Sequence, residues 1–341
     1  MPTTRSLPFA RPDGSCSLSV VVPCCNEEDG VTEFHRRVSA VCQAIVGGSY
    51  ETVLVDDGSS DHTWERIHDL VSGGGRVVGV RLSRNHGHQL ALSAGLTFAR
   101  GERVLIIDAD LQDPPELLPA MMKLMDEGAD VVYGQRVARR GESVFKRGTA
   151  AMFYRLLDSL TDVRIPVDAG DFRLMSRRAL DVLLSMPEHH RFIRGMVSWI
   201  GFRQVPLLYE RQERFAGATK YPFSKMLRLA LDAVTSFSTR PLRLASMLGV
   251  LFGLCGLGGL LYTLGSWMAG RVVPGWTSAT SINLLLGSTQ LLVLGILGEY
   301  LGRLYVESKG RPLFVVQEVL AAERPRDDLP MTTPARSGQA G

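Results

Sequence analysis

The chain has 341 residues, with 38 Lys and Arg against 35 Asp and Glu, and a formal net charge of +3. That length holds one large domain plus an addition, or two domains, and a balance so near neutral excludes a general affinity for nucleic acid. Its 5 cysteines show no C-x-x-C pair and no companion His spacing, which excludes a disulfide framework and a zinc site and fits reduced thiols in a cytoplasmic setting.

Residues 1–16 carry Pro2, Pro8, Pro12, Arg5 and Arg11 without a continuous apolar core, and read as a disordered leader, not a signal peptide. From residue 17 onward, apolar runs alternate with helical periodicity. Strands are predicted at Ser17–Val22, Glu51–Val55, Val77–Leu82, Arg103–Ile107 and Asp130–Tyr133. Helices are predicted between them at Glu27–Ile45, Asp61–Leu70, Gln89–Ala99 and Glu116–Asp126. Continuous apolar strands separated by helices argue for an α/β fold with a mostly parallel sheet covered on both faces. In such a sheet the strand carboxyl ends share one rim.

Three acidic clusters fall on that rim. They are Pro23-Cys24-Cys25-Asn26-Glu27-Glu28, Asp56-Asp57-Gly58-Ser59-Ser60-Asp61, and Asp108-Ala109-Asp110-Leu111-Gln112-Asp113. A pair of carboxylates one residue apart suits a hard divalent cation, Mg²⁺ or Mn²⁺, bridging a diphosphate. The same pair also suits a turn that caps the helix after Pro114-Pro115. Three clusters on one crevice favour the metal over the cap, and Asp113 is left as the helix cap. The first strand–helix turn lacks G-x-G-x-x-G, and no G-x-x-x-x-G-K-[ST] exists, so dinucleotide and P-loop sites are disfavoured. An acidic rim can bind a nucleoside through base N–H and ribose hydroxyls while a metal holds its phosphates, which is the chemistry of a nucleotide-sugar site. Beyond the rim, Arg136, Arg139, Arg140, Lys146 and Arg147 form a basic stretch suited to a solvated face, to phosphates or to anionic lipid.

The C-terminal part changes character. Residues 221–240 repeat apolar side chains at three and four, as an amphipathic helix does at a membrane interface or against a domain. Two uncharged stretches follow, about 244–268 and 280–302, each long enough for a membrane span and together predicting a hairpin over 244–302. Arg228, Arg240 and Arg243 precede the hairpin and Arg303, Lys309 and Arg311 follow it, against Arg271 alone in the connector. The positive-inside rule then puts the large N-terminal domain and both termini in the cytoplasm, under the inner (plasma) membrane. Gly249/Gly253 and Gly298/Gly302 have the spacing of close helix contacts, within the hairpin or in a homo-oligomer. Residues 303–341 are expected to be a cytoplasmic tail, disordered at its end.

Taken together, these segments resemble the polyprenyl-phosphate branch of glycosyltransferase family 2. The resemblance rests on Val21–Glu28, Val55–Asp61, Leu82–Asn85, Ile107–Pro115, Val132–Arg136, Gly170–Leu174, Arg214–Tyr221 and Leu294–Arg303. It implies a GT-A domain over 17–220 and inverting transfer of a hexose from a nucleotide sugar, UDP-glucose first, to undecaprenyl or another polyprenyl phosphate. GDP-mannose, UDP-GlcNAc and UDP-amino-arabinose are the alternative donors. Pro23, Cys25, Glu27, Val55, Asp57, Asp108 and Ala109 are implied to line the donor nucleotide. Asp108, Asp110 and Gln112 are implied to hold the metal, and Arg136, Arg147, Arg211, Arg214 and Lys220 to receive the phosphates near the acceptor. Asp110 and Asp171 are the implied catalytic residues. Asp171 has three implied roles: taking a residual proton, orienting the acceptor or holding a basic side chain. Cys25 departs from the family, which usually has a tyrosine stacking on the base, and His86 and His88 read as helix-entry residues. A processive polysaccharide synthase is disfavoured because the chain lacks Gln-x-x-Arg-Trp and has too few spans for a channel. A non-catalytic lipid-sugar flippase or scaffold is disfavoured by the complete acidic set.

Overall fold

The computed structural model describes residues 16–74, 76–136, 169–210, 238, 240–269 and 275–321. They divide between two units, and the larger one holds the sheet. Its strands are β1 (Leu18–Cys24), β2 (Tyr50–Asp56), β3 (Val77–Leu82), β4 (Arg103–Ile106), β5 (Val131–Arg136), β6 (Ala169–Ser176), β7 (Gln204–Tyr209) and β8 (Val316–Ala321). Their order across the sheet is β7-β5-β6-β4-β1-β2-β3-β8.

β1 and β2 are buried along their whole length, as strands covered on both faces must be. β1 pairs in parallel with both β2 and β4, and β2 with β3. The chain therefore winds outward from β1 to β3 and then returns to the other side of β1. That reversal between β1 and β4 is where open α/β sheets form their ligand crevice. β6 runs antiparallel to both β4 and β5, and β7 lies parallel to β5.

Helix α1 (Val31–Val46) buries Val31, Phe34, Val38 and Cys42, and α2 (Thr63–Ser72) buries Trp64, Ile67 and Val71. These spacings of three and four make one apolar stripe on each helix. A short 3₁₀ turn (Pro115–Leu117) leads into α4 (Leu118–Asp126), which buries Leu118, Met121 and Met125. The three stripes join Leu18, Val20, Val22, Leu54, Leu105 and Ile107 in one core. Helix α3 (His88–Phe98) covers the opposite face, where a Cβ on Gly95 would stand 2.5 Å from Val21 Cγ1 and 2.8 Å from Val55 Cγ2. Helices α5 (Arg177–Ser185) and α6 (Ile193–Ile200) follow β6.

The second unit contains α7 (Arg240–Met268) and α8 (Trp276–Ser308). Both are long and apolar enough to cross a membrane, and many of their large apolar side chains are exposed. Most of the amphipathic segment 221–240, together with the leader and the end of the tail, lies outside the described residues. One expectation is corrected. Residues 316–321, expected within the tail, form β8, antiparallel to β3 at the sheet edge. A short edge strand buries too little to show a clear apolar alternation in the sequence.

Candidate active site

The three acidic clusters stand at the carboxyl ends of β1, β2 and β4, which are neighbours in the sheet. Backbone and side-chain hydrogen bonds lace the first two turns together. Asn26 Oδ1 accepts from Ser60 N at 2.9 Å, Thr63 Oγ1 from Glu27 N at 2.8 Å, and Glu28 Oε2 from His62 N at 3.0 Å. Asp57 N donates to Cys24 O at 2.9 Å. Gly58 has φ 65°, and a Cβ there would lie 2.5 Å from Asn85 N, so only glycine fits this turn against the loop after β3.

Asp57 is committed to that same loop. Its two carboxylate oxygens accept from His86 N at 2.7 Å and Gly87 N at 2.9 Å, while burial pushes its carboxyl up against those bonds. Pro23 is buried at the end of β1, and Val55 in β2. Cys25 is exposed, with Asn85 Nδ2 donating to its Sγ at 3.3 Å. Burial and the charge of Asp57 raise its thiol, so it stays protonated. Glu27 and Ala109 approach one another at Gly30, whose Cβ would be 3.6 Å from Glu27 Oε2 and 3.8 Å from Ala109 O.

The third turn follows β4. Leu111 takes φ 57°, a left-handed conformation that costs an L-residue about 1–2 kcal/mol. Burial of its side chain in the core holds it there, and Gln112 N donates to Asp110 Oδ1 at 3.1 Å across the bend. Asp108 Oδ1 is buried without a hydrogen bond among the described residues; its near neighbour is His88 Nε2 at 3.5 Å. Burial pushes the Asp108 carboxyl up to about 6. His88 opposes the rise, and the charges of Asp171, Asp113 and Asp110 add to it.

Asp171, in β6, is the hub of the site and is 4% exposed. Arg194 grips it through Nε at 2.9 Å and Nη2 at 3.2 Å, and Gln89 Nε2 donates at 3.0 Å. His88 Nε2 lies 3.3 Å and Arg173 Nη2 3.9 Å from its oxygens. Burial alone would raise this carboxyl. The cations and hydrogen bonds of Arg194 and His88, with Arg173 behind them, instead hold it well below the carboxylate range. Burial pulls Arg173 down to about 10. Burial would also lower His88, but its bond to Asp171 and the charges of Asp108 and Asp171 raise it. His88 is the first residue of α3, as a helix-entry residue would be, and it also bridges two carboxylates. Sequence reading did not find His88, Gln89 and Arg194 as a group, since α3 and α6 meet only through the fold. The one available signal was the polar entry 85–88 on the same rim.

Asp113 is corrected from helix cap to core acceptor. It is fully buried, accepts the Tyr209 hydroxyl in a short hydrogen bond, and among the described residues no side chain caps the 3₁₀ turn or α4. Arg136, the last residue of β5, lies beside that pair. Arg147, Arg211, Arg214 and Lys220 lie outside the described residues. Among the described residues no group of three or more His, Cys, Asp and Glu side chains is gathered as a metal cage.

Residues 19–184 match the family described as Glycosyl transferase family 2, and residues 240–304 the one described as GtrB C-terminal hairpin. The uncharacterized glycosyltransferase YkcC of Bacillus subtilis (strain 168) is 45% identical, over 90% of this chain and 95% of its own length. The bactoprenol glucosyl transferase of Shigella phage SfV is 38% identical, over 88% of this chain and 98% of its own. A prophage bactoprenol glucosyl transferase homolog of Escherichia coli (strain K12) is 37% identical, over 89% and 99%. The sheet and its acidic crevice are thus those of a GT-A glycosyltransferase. The chain belongs to glycosyltransferase family 2 and carries the GtrB C-terminal hairpin.

Proposed function

We propose that this enzyme moves a hexose from a nucleotide sugar, UDP-glucose first, onto a polyprenyl phosphate such as undecaprenyl phosphate, with inversion at the sugar. GDP-mannose, UDP-GlcNAc and UDP-amino-arabinose remain the alternative donors. The observation that carries the reading is the Asp108 Oδ1, buried and without a hydrogen bond among the described residues, beside Asp110 at the switch point of the sheet. The names of the bactoprenol relatives support the acceptor.

The donor set fits Mg²⁺ or Mn²⁺. Magnesium is commonly bound by one or two carboxylates plus substrate phosphates and waters, so a full protein cage is not required. Asp108, Asp110 and Gln112 would hold the ion, which when bound supplies positive charge to the departing nucleoside diphosphate. The acceptor phosphate has a second pKa of about 6 and is largely dianionic at neutral pH. Its oxygen forms the new bond to the anomeric carbon as the bond to the donor diphosphate breaks, and no strong protein base is needed. Asp171, held far below the usual range and saturated with donors, is a weak base. Its role in this reading is to hold His88 and Arg194 as cations around the reacting phosphates. Arg136 receives the acceptor phosphate, with Arg147, Arg211, Arg214 and Lys220 as further candidates.

The hairpin is read as the membrane anchor, with both ends on the cytoplasmic side by the positive-inside rule. Support comes from β8, which follows the hairpin yet joins the sheet that precedes it. The test is a panel of radiolabelled nucleotide sugars offered with undecaprenyl phosphate. Label is expected in the organic-extractable lipid from one donor, and EDTA abolishes it. No lipid label from any donor would refute transfer to a polyprenyl phosphate, and EDTA-resistant transfer would refute the metal.

A further inference from the structure

Three residues from separate parts of the fold meet around the Arg136 guanidinium. Arg136 Nε donates to the Tyr209 hydroxyl at 3.2 Å, and its Nη2 stands 3.8 Å from Asp113 Oδ1. The same hydroxyl donates to Asp113 Oδ1 in a short bond. Tyr209 ends β7 and is 5% exposed, whereas Arg136 keeps 31% of its side chain open to solvent. Burial and the Asp113 charge push the phenol up to about 12, so it remains a proton donor throughout the working pH range.

The seat is shaped for this arrangement. A Cβ on Gly134 would come within 2.8 Å of Tyr209 Cε1 and 2.6 Å of Phe172 Cδ1. Phe172 packs edge-on against Tyr209, with centroids 5.7 Å apart at 69°. A Cβ on Gly170 would reach 2.9 Å from Arg136 Nη2. The phenol ring is therefore closely packed by Gly134 and Phe172, and the guanidinium lies between that ring's hydroxyl and Gly170. Asp113 is also the final residue of the turn bearing Asp108, Asp110 and Gln112. One hydroxyl thus links the turn assigned to the donor diphosphate with the arginine assigned to the acceptor.

We propose that Tyr209 is a positioning residue of the acceptor site, its hydroxyl fixing the Arg136 guanidinium against Asp113 so that the acceptor phosphate meets a preset fork. The inference rests on the reading of Arg136 as the acceptor-phosphate residue. An arginine anchored at Nε loses less rotamer freedom when it binds an oxyanion, so freeing it weakens acceptor binding and leaves donor binding alone.

The test uses the full-length enzyme in detergent, with undecaprenyl phosphate and the nucleotide sugar that gives turnover. Tyr209→Phe keeps the ring and its packing and removes only the hydroxyl. It is expected to raise the acceptor KM roughly tenfold, as loss of one charge-assisted hydrogen bond does, with donor KM unchanged. The thermal midpoint falls as well, because buried Asp113 loses its donor, so the split between the two KM values is the deciding readout. Gly170→Ala, which crowds the guanidinium from the other side, is expected to act in the same direction. In an Arg136→Ala background, Tyr209→Phe adds nothing further. If Arg136→Ala raises the acceptor KM while Tyr209→Phe does not, the positioning role is overturned and the acceptor reading stands. If Arg136→Ala leaves the acceptor KM unchanged, the acceptor reading itself fails. Equal changes in both KM values, or full additivity with Arg136→Ala, show a general structural effect and overturn the proposal.

Discussion

Replacing Asp171 with asparagine tests whether the centre of the site is a charge cluster assembled on one buried carboxylate. The volume is kept, but Arg194 loses its fork, His88 one of its two anionic partners and buried Arg173 its countercharge at 3.9 Å. Removing one member of a buried ion pair costs about 3–5 kcal/mol. Arg194 is 34% exposed and can turn to water, which favours the low end, about 3 kcal/mol. For a domain of this size that corresponds to a fall in Tm of about 6–12 °C. The loss also has a pH signature. In the parent, His88 is raised, so its contribution is complete below its unfolded pKa and is lost as pH rises through the folded value. Asp171 is depressed, so its contribution is present above its unfolded pKa and disappears only in strong acid. In Asp171→Asn, His88 keeps Asp108 but loses the bond and charge of Asp171 that raise it, so it falls from its raised position, and the variant's deficit is greatest near pH 5.5 and shrinks toward about pH 8.5. Thermal scans of the detergent-solubilised protein across that window measure both effects. A fall below about 2 °C, or a deficit that does not change with pH, refutes the charge-cluster account.

Asp110→Ala is expected to abolish sugar transfer to lipid phosphate even with excess Mn²⁺; parent-like turnover would sink the metal assignment. Because burial holds the Asp108 carboxyl up to about 6, protons compete with the cation. Mn²⁺ affinity, followed by electron paramagnetic resonance, should fall about tenfold from pH 7 to pH 5, and equal affinities would contradict the ligand role. Cys25→Tyr restores an aromatic face at an exposed position of the rim, and a stacked base gains about 1–3 kcal/mol. Its donor KM should drop at least about fivefold, and an unchanged value would remove Cys25 from the base site. Gly95→Ala drives a methyl to 2.5 Å from Val21 Cγ1, between β-branched side chains that cannot rotate away. Such overpacking costs about 1–3 kcal/mol, read as a lower Tm with donor KM preserved. A Tm equal to the parent's would show that α3 packs less tightly on β1 and β2.

The central sheet and the three acidic turns were legible because their signals are local. Fully buried β1 and β2, each with an apolar run, end in polar clusters within a few residues, and the 3.6-residue stripe of α1 and α2 is unambiguous. The site's centre was not legible in the same way. Asp171 was visible beside Arg173, but its grip on Arg194 depends on β6 inserting antiparallel between β4 and β5, which no local pattern encodes. Asp113 followed the same rule. Its place before Pro114 suggested a cap, whereas its actual partner, Tyr209, arrives from another strand 96 residues later.

The position of β8 has a consequence for how the protein is made. Synthesis runs from the N-terminus, so β1 to β7 leave the ribosome before either long apolar helix exists. Until β8 arrives, β3 presents an unpaired edge, the kind of surface that recruits other strands. The strand that closes it is encoded after α8, so the sheet becomes complete only once the hairpin has been synthesised. Completion of the sheet is therefore timed by the two long apolar helices that precede β8 in the chain. A chain interrupted within the hairpin would carry every acidic residue of the crevice and still have an open, adhesive sheet.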